Sequence, residues 1–106
     1  IPQYGLFFFY EGEDKSSQAF SMVVQEFSKK YGWEVIAISK DGSKLQGFKN
    51  NVSDNGAIAN LGIEILPSLF LINPRLEIIQ PIAYGLVSLD QIENNVALLF
   101  QQELGK

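Results

Sequence analysis

The 106-residue chain contains no cysteine and no histidine. Without a thiol there is no thiolate nucleophile, no disulfide exchange and no sulfur ligand for zinc, and without an imidazole there is no Ser-His-Asp triad. What remains is carboxylate, Lys, Tyr or Ser chemistry, or no chemistry, and of these no catalytic group, metal site or cofactor is expected. The lack of cysteine leaves the compartment open, because secreted chains without disulfides and cytosolic chains without thiols both occur. Positive charge is scarce too: eight Lys and Arg against 12 Asp and Glu give a net charge of −4, the wrong sign for a phosphate-binding surface. Nucleic acid is therefore not an expected partner. The apolar run Leu6 to Tyr10 is one strand long and far short of the roughly 20 residues that a membrane span needs, so no direct membrane insertion is expected.

What is present is a core. Hydrophobic residues make up 46% of the chain and charged ones 19%, which suits one globular domain over residues 1–106. The sequence opens at Ile1 without an initiator Met or a signal-peptide pattern, and reads as a mature or excised fragment.

Tyr4 to Tyr10 is continuously apolar and aromatic, as in a central strand buried on both faces, and Glu11 to Asp14 break it. Phe20, Val23, Val24, Phe27 and Tyr31 then follow the spacing of one helical face, predicting a helix that starts near Ser16 or Ser17. Gly32 stops it, with Lys29 and Lys30 in its last turn. Trp33 to Ser39 is a second strand, which completes a right-handed βαβ unit with parallel strands. Lys40 to Ser53 is polar and glycine-containing, and reads as a surface loop. Asp54 can cap a short helix to about Leu61, closed by Gly62. Ser68 to Ile72 after Pro67 and Glu77 to Tyr84 form an antiparallel hairpin, its second strand at a sheet edge because of Pro81. Ser88-Leu89-Asp90-Gln91 is a capping-box pattern that opens an amphipathic C-terminal helix.

This order, β-α-β, a loop with a short helix, then β-β-α, is similar to thioredoxin, and Pro67 stands where that fold has a cis-proline. Tyr4-Gly5-Leu6-Phe7-Phe8-Phe9-Tyr10, Tyr31-Gly32-Trp33, Leu61 to Pro74 and Tyr84 to Asp90 resemble the thioredoxin-like domain of the TraF family, conjugal-transfer pilus-assembly proteins of F-type type IV secretion. The resemblance runs from about Tyr4 to Val96. It implies an α/β, thioredoxin-like fold with a central mixed four-stranded sheet and helices on both faces, in the C-terminal part of a larger exported protein. It further implies the periplasm of a Gram-negative bacterium, with other envelope proteins of the conjugative secretion apparatus as partners.

In redox-active relatives a Cys-x-x-Cys follows the first core strand and opens the helix; here that stretch reads Glu13-Asp14-Lys15-Ser16-Ser17-Gln18. Asp14 and Ser17 replace the two cysteines by position, and a serine hydroxyl is far too basic to stand in for a thiolate. The expected function is thus a redox-inactive scaffold or chaperone-like module in pilus assembly. Its candidate protein-binding residues are Asp14, Lys15, Ser16, Ser17, Leu66 and Pro67, the last preceded by a cis bond that would expose the Leu66 backbone to an extended peptide. The bland reading of Asp14 to Ser17 is helix capping. An alternative function is a domain of a disulfide oxidoreductase or isomerase system whose cysteines lie outside this stretch or in a partner. A third is a domain that only supports the fold of the larger protein. Glu11, Glu13 and Asp14 lack the ligand spacing of a calcium loop, and Phe7, Phe8, Phe9, Trp33 and Phe70 read as core rather than as a base-stacking platform.

Overall fold

The computed structural model describes residues 4–104. Strand β1 (Gly5–Tyr10) forms from a run of strand-favouring side chains, and Leu6, Phe8, Phe9 and Tyr10 have no exposed surface. Helix α1 (Lys15–Tyr31) starts earlier than the serines suggest, because the Asp14 carboxylate supplies the cap by accepting the Ser17 N–H at 2.9 Å. It ends as expected at Gly32, whose φ of 71° is left-handed and whose N–H reaches the Ser28 carbonyl at 2.8 Å. Strand β2 (Val35–Ser39) lies parallel to β1, with Leu6 opposite Val35 and Tyr10 opposite Ser39.

The sheet has five strands in the order β3-β2-β1-β4-β5, not the four expected. The extra one, β3 (Asn50–Ser53), pairs in parallel with β2 inside the stretch that reads as a loop. Three of its four residues are polar, so neither apolar alternation nor an apolar run marks it. What holds it is partly a side chain: the Tyr10 hydroxyl donates to Asn51 Oδ1 at 2.5 Å and accepts the Leu45 N–H at 3.1 Å, and Asn51 Nδ2 donates to the Leu45 carbonyl at 2.6 Å. The one polar atom of an otherwise fully buried ring is thereby paired.

Helix α2 (Ala57–Asn60) is one turn, with Asp54 Oδ1 accepting from the Gly56 and Ile58 N–H groups at 3.2 Å each. Strands β4 (Ser68–Asn73) and β5 (Ile78–Tyr84) form the antiparallel hairpin, β4 runs antiparallel to β1, and Pro81 sits on the edge strand opposite Phe70, where β5 bulges. Helix α3 (Leu89–Leu104) begins at Ser88, whose Oγ accepts the Gln91 N–H at 3.1 Å. The Gln91 side chain bonds Asn95 instead of turning back to Ser88, so only half of the capping box forms.

Helices α1 and α3 cover one face of the sheet. There Phe20, Val24, Phe27, Ile92 and Val96 pack on Leu6, Phe8, Tyr10, Leu69 and Leu71. On the other face Ile58 of α2 packs with Phe9, Ile38 and Phe70. Glu93 joins the two long helices by accepting from Lys30 Nζ at 2.6 Å and from the Tyr31 hydroxyl. These hydrogen bonds hold the Glu93 carboxyl below its ordinary range and Lys30 above its own. The group is open to solvent and adds little to stability.

Phe8→Ala is expected to cost about 3–5 kcal/mol, since a ring with no exposed surface leaves a cavity. Tyr10→Phe should cost about 1–3 kcal/mol through the stranded Asn51 and Leu45 groups. Met22→Ala, at a side chain 67% exposed, should stay within about 0.5 kcal/mol. Urea unfolding of the three variants checks this order.

Candidate functional site

Strands β1, β2 and β3 end, and β4 begins, at the same end of the sheet. Phe9 lies opposite Ser68, so the register carried one step further sets Tyr10 beside Pro67. The turn from β1 into α1 and the Leu66-Pro67 pair, far apart in sequence, therefore meet. The Leu66-Pro67 peptide is cis.

The turn after β1 is held by Asp41, which follows β2. Its Oδ1 accepts the N–H of Gly12 at 3.0 Å and of Ser43 at 3.0 Å, and its Oδ2 accepts the Glu13 N–H at 3.2 Å. The Ser39 hydroxyl lies 2.9 Å from Oδ1 and 2.8 Å from the Ser43 carbonyl, and shares its one proton between them. Desolvation pushes the Asp41 carboxyl up, but these donors together outweigh it and hold the group at about 2. The approach of the two turns depends on Gly12: a Cβ there would stand 2.1 Å from the Ser43 carbonyl oxygen.

The candidate residues do not share one exposure. Lys15 and Ser16 are exposed and Asp14 is half-buried. Ser17 is fully buried, its Oγ accepting the Glu11 N–H at 3.2 Å. Ser17 is thus an internal brace for the turn that Asp14 caps. Pro67 is buried as well, and its carbonyl accepts the Gly85 N–H at 2.7 Å.

Leu66 is half-buried, packed at the margin of the Phe9–Phe70 cluster. Among the described residues its N–H and C=O take no hydrogen-bond partner. Around it lie apolar side chains that sequence reasoning did not single out: Ile65 is 54% exposed, Tyr84 48% and Leu86 53%. The Gly85–Pro67 bond and the Ser68–Tyr84 pairing place the last two beside Leu66. Their signal was available in the chain, since apolar residues flank both Pro67 and Gly85, but strand and turn patterns do not say which of them stay outside. Asp41 and Gly12 likewise looked like ordinary turn residues. Among the described residues no cluster of three or more acidic side chains is placed to hold a metal ion, and no helix is long and apolar enough to cross a membrane.

Residues 2–97 match the family TraF, F plasmid transfer operon protein. Protein TraF of Escherichia coli (strain K12) is 32% identical over 89 residues, which are 84% of this chain and 36% of that protein; the chain spans about a third of this relative's length. Among solved structures, MTB dsbF in its mixed oxidized and reduced forms superposes with a TM-score of 0.70 at 15% identity, covering 91% of this chain and 80% of that one. A thioredoxin-related protein from Neisseria meningitidis serogroup B superposes with a TM-score of 0.67 at 16% identity, covering 95% and 87%. The fold is thioredoxin-like, as expected, with β3 added to the expected count of strands.

Two outcomes follow from the turn. Gly12→Ala is expected to lose about 3 kcal/mol or more, because the clash is with backbone rather than with a side chain that can swing away. Asp41→Asn removes a carboxyl that is more acidic folded than its ordinary 3.8, so the stabilisation it lends is complete above that value and fades as pH falls towards about 2. Melting curves of wild type and Asp41→Asn should stand furthest apart near neutrality and converge over that interval. A gap that stays constant down to the lower value would refute the latch.

Proposed function

Because the chain belongs to the TraF family of F plasmid transfer operon proteins, we propose that it is a redox-inactive, thioredoxin-like module that docks and scaffolds other envelope proteins while a conjugative pilus is assembled in the Gram-negative periplasm. The observation that carries this reading is the Leu66 surface. Among the described residues the Leu66 backbone N–H and C=O have no hydrogen-bond partner; they lie within a rim of exposed apolar side chains, next to a helix start that holds a carboxylate and a buried hydroxyl and no cysteine. Such a surface can bind through backbone pairing and apolar burial. It has no group able to exchange disulfides. Lys15, Ser16 and Leu66 are the docking residues in this reading, Asp14 and Ser17 shape the turn beneath them, and Pro67 sets the chain direction.

The test is complementation in donor cells that lack the full-length protein. A Lys15→Glu, Ser16→Arg, Leu66→Ala variant, present at normal level, is expected to lower DNA transfer and piliation by about tenfold or more, the effect of roughly 1.4 kcal/mol of lost docking. Full transfer and normal pili from that variant would sink the proposal. Transfer that instead follows the redox state of cysteines in the remainder of the full-length protein would favour membership of a disulfide-exchange system.

A further inference from the structure

The two edges of the sheet are finished differently. Strand β5 closes one edge with Pro81, which has no N–H to offer, and with the bulge beside it, and both features keep another strand from pairing there. Strand β3 forms the other edge and carries neither device, and none of its residues Asn50 to Ser53 is charged. Its backbone groups alternate in direction. The Asp54 N–H reaches the Ser39 carbonyl at 2.9 Å, so residues 50, 52 and 54 turn their groups in towards β2, while Asn51 and Ser53 turn theirs out. Among the described residues the backbone N–H and C=O of Asn51 and Ser53 take no hydrogen-bond partner. The side chains alternate as well: Val52 lies opposite Ile38 on the α2 face and is 47% exposed, whereas Asn51 lies opposite Ala37 and meets Tyr10.

We propose that β3 pairs with β3 of a second copy of this chain, antiparallel and about a two-fold axis at Val52, so that one sheet runs through both molecules. The edge is complementary to itself in that register. Asn51 meets Ser53 of the second copy and Ser53 meets its Asn51, all with outward backbone groups, and each pair exchanges both bonds. Between them the two Val52 side chains meet at the close, non-hydrogen-bonded position and extend the apolar row from Ile38. Asn50 falls opposite Asp54 of the second copy, and no like charges meet. An axis at Asn51 would set Val52 opposite Asn50, and an axis at Ser53 would set it opposite Asp54, so both lose the apolar pair. An axis between residues sets outward groups against inward ones. The contact closes on itself, and the guarded β5 edge stops further growth. With a strand of only four residues from each copy, it falls below the standard interface size and is of the weak, reversible kind. Strand β3 is separated from β4 by two strands, so this pairing does not depend on the docking reading above.

The test is sedimentation velocity of the full-length protein at rising concentration, where the mean sedimentation coefficient is expected to climb with a midpoint of about 10–100 μM. Val52→Lys sets two ammonium groups face to face from an exposed position, and Ser53→Pro deletes an outward N–H without breaking a bond to β2. Each should move the midpoint at least about tenfold higher. Oxidative cross-linking reads the register, because Cα atoms at the close antiparallel position stand about 4.5 Å apart and a disulfide spans about 4.4–6.8 Å. Val52→Cys should therefore give a linked dimer beyond anything the unsubstituted protein forms, and Ser53→Cys should not. A protein that stays monomeric at about 1 mM overturns the proposal. Self-association that ignores both Val52→Lys and Ser53→Pro overturns it too, because another surface then carries the contact. Cross-linking through Ser53→Cys and not through Val52→Cys overturns the axis at Val52.

Discussion

Strand β1 presents Leu6, Phe8 and Tyr10 to one side of the sheet and Phe7 and Phe9 to the other, so both sides need an apolar cover before the strand can leave water. Each large side chain removed from solvent contributes about 1.5–3 kcal/mol, which makes this strand a main source of stabilisation in the molecule. The cover explains the rest of the architecture. Helices α1 and α3 close one side, and α2 with its flanking residues closes the other. The burial also creates a need, because Tyr10 takes a hydroxyl into the interior with it. Asn51 and Leu45 meet that need, and in doing so fix the segment that becomes β3.

The same two-sided burial sets what could be read from the chain alone. The runs Leu6 to Tyr10 and Ser68 to Ile72, the helical spacing from Phe20 to Tyr31, and the stops at Gly32 and Pro67 are local patterns whose physical causes lie within a few residues. They were legible. Strand β3 was not, because Asn50 to Ser53 owe their conformation to β2 and to a tyrosine some forty residues earlier, and no local propensity records that debt to distant partners. The helix start was displaced for a related reason: aspartate and serine are about equally good caps, and only the folded turn decides between Asp14 and Ser16 or Ser17. At the candidate site, the chain named two segments that the fold brings to one end of the sheet, without distinguishing an accessible Ser16 from an internal Ser17. Side-chain exposure at a turn is a tertiary property, and the apolar rim of Ile65, Tyr84 and Leu86 emerges only once β4 and β5 pair.

Family membership and structure meet at the turn after β1. The chain has no cysteine to place at this turn, and Asp14 caps the helix that follows it. The turn has a demanding shape nonetheless. Gly12 allows it to touch the Ser43 backbone, Asp41 collects three backbone N–H groups, and Ser17 braces it from inside. A loop with no remaining duty could relax to any solvated conformation at little cost. This one is over-determined, its outline fixed from three directions by Gly12, Asp41 and Ser17.

The Asp41 latch has a consequence for how the molecule would respond to its surroundings. A turn shaped by a dithiol exists in two covalent forms, and its outline changes as oxidants and reductants compete for it. A turn shaped by a carboxylate and backbone amides has one covalent form, and the single sulfur in this chain, in Met22, lies out on α1 away from it. Oxidant bursts and reductant surges therefore leave the latch as it was, and a partner that fits it would find the same contour in either condition.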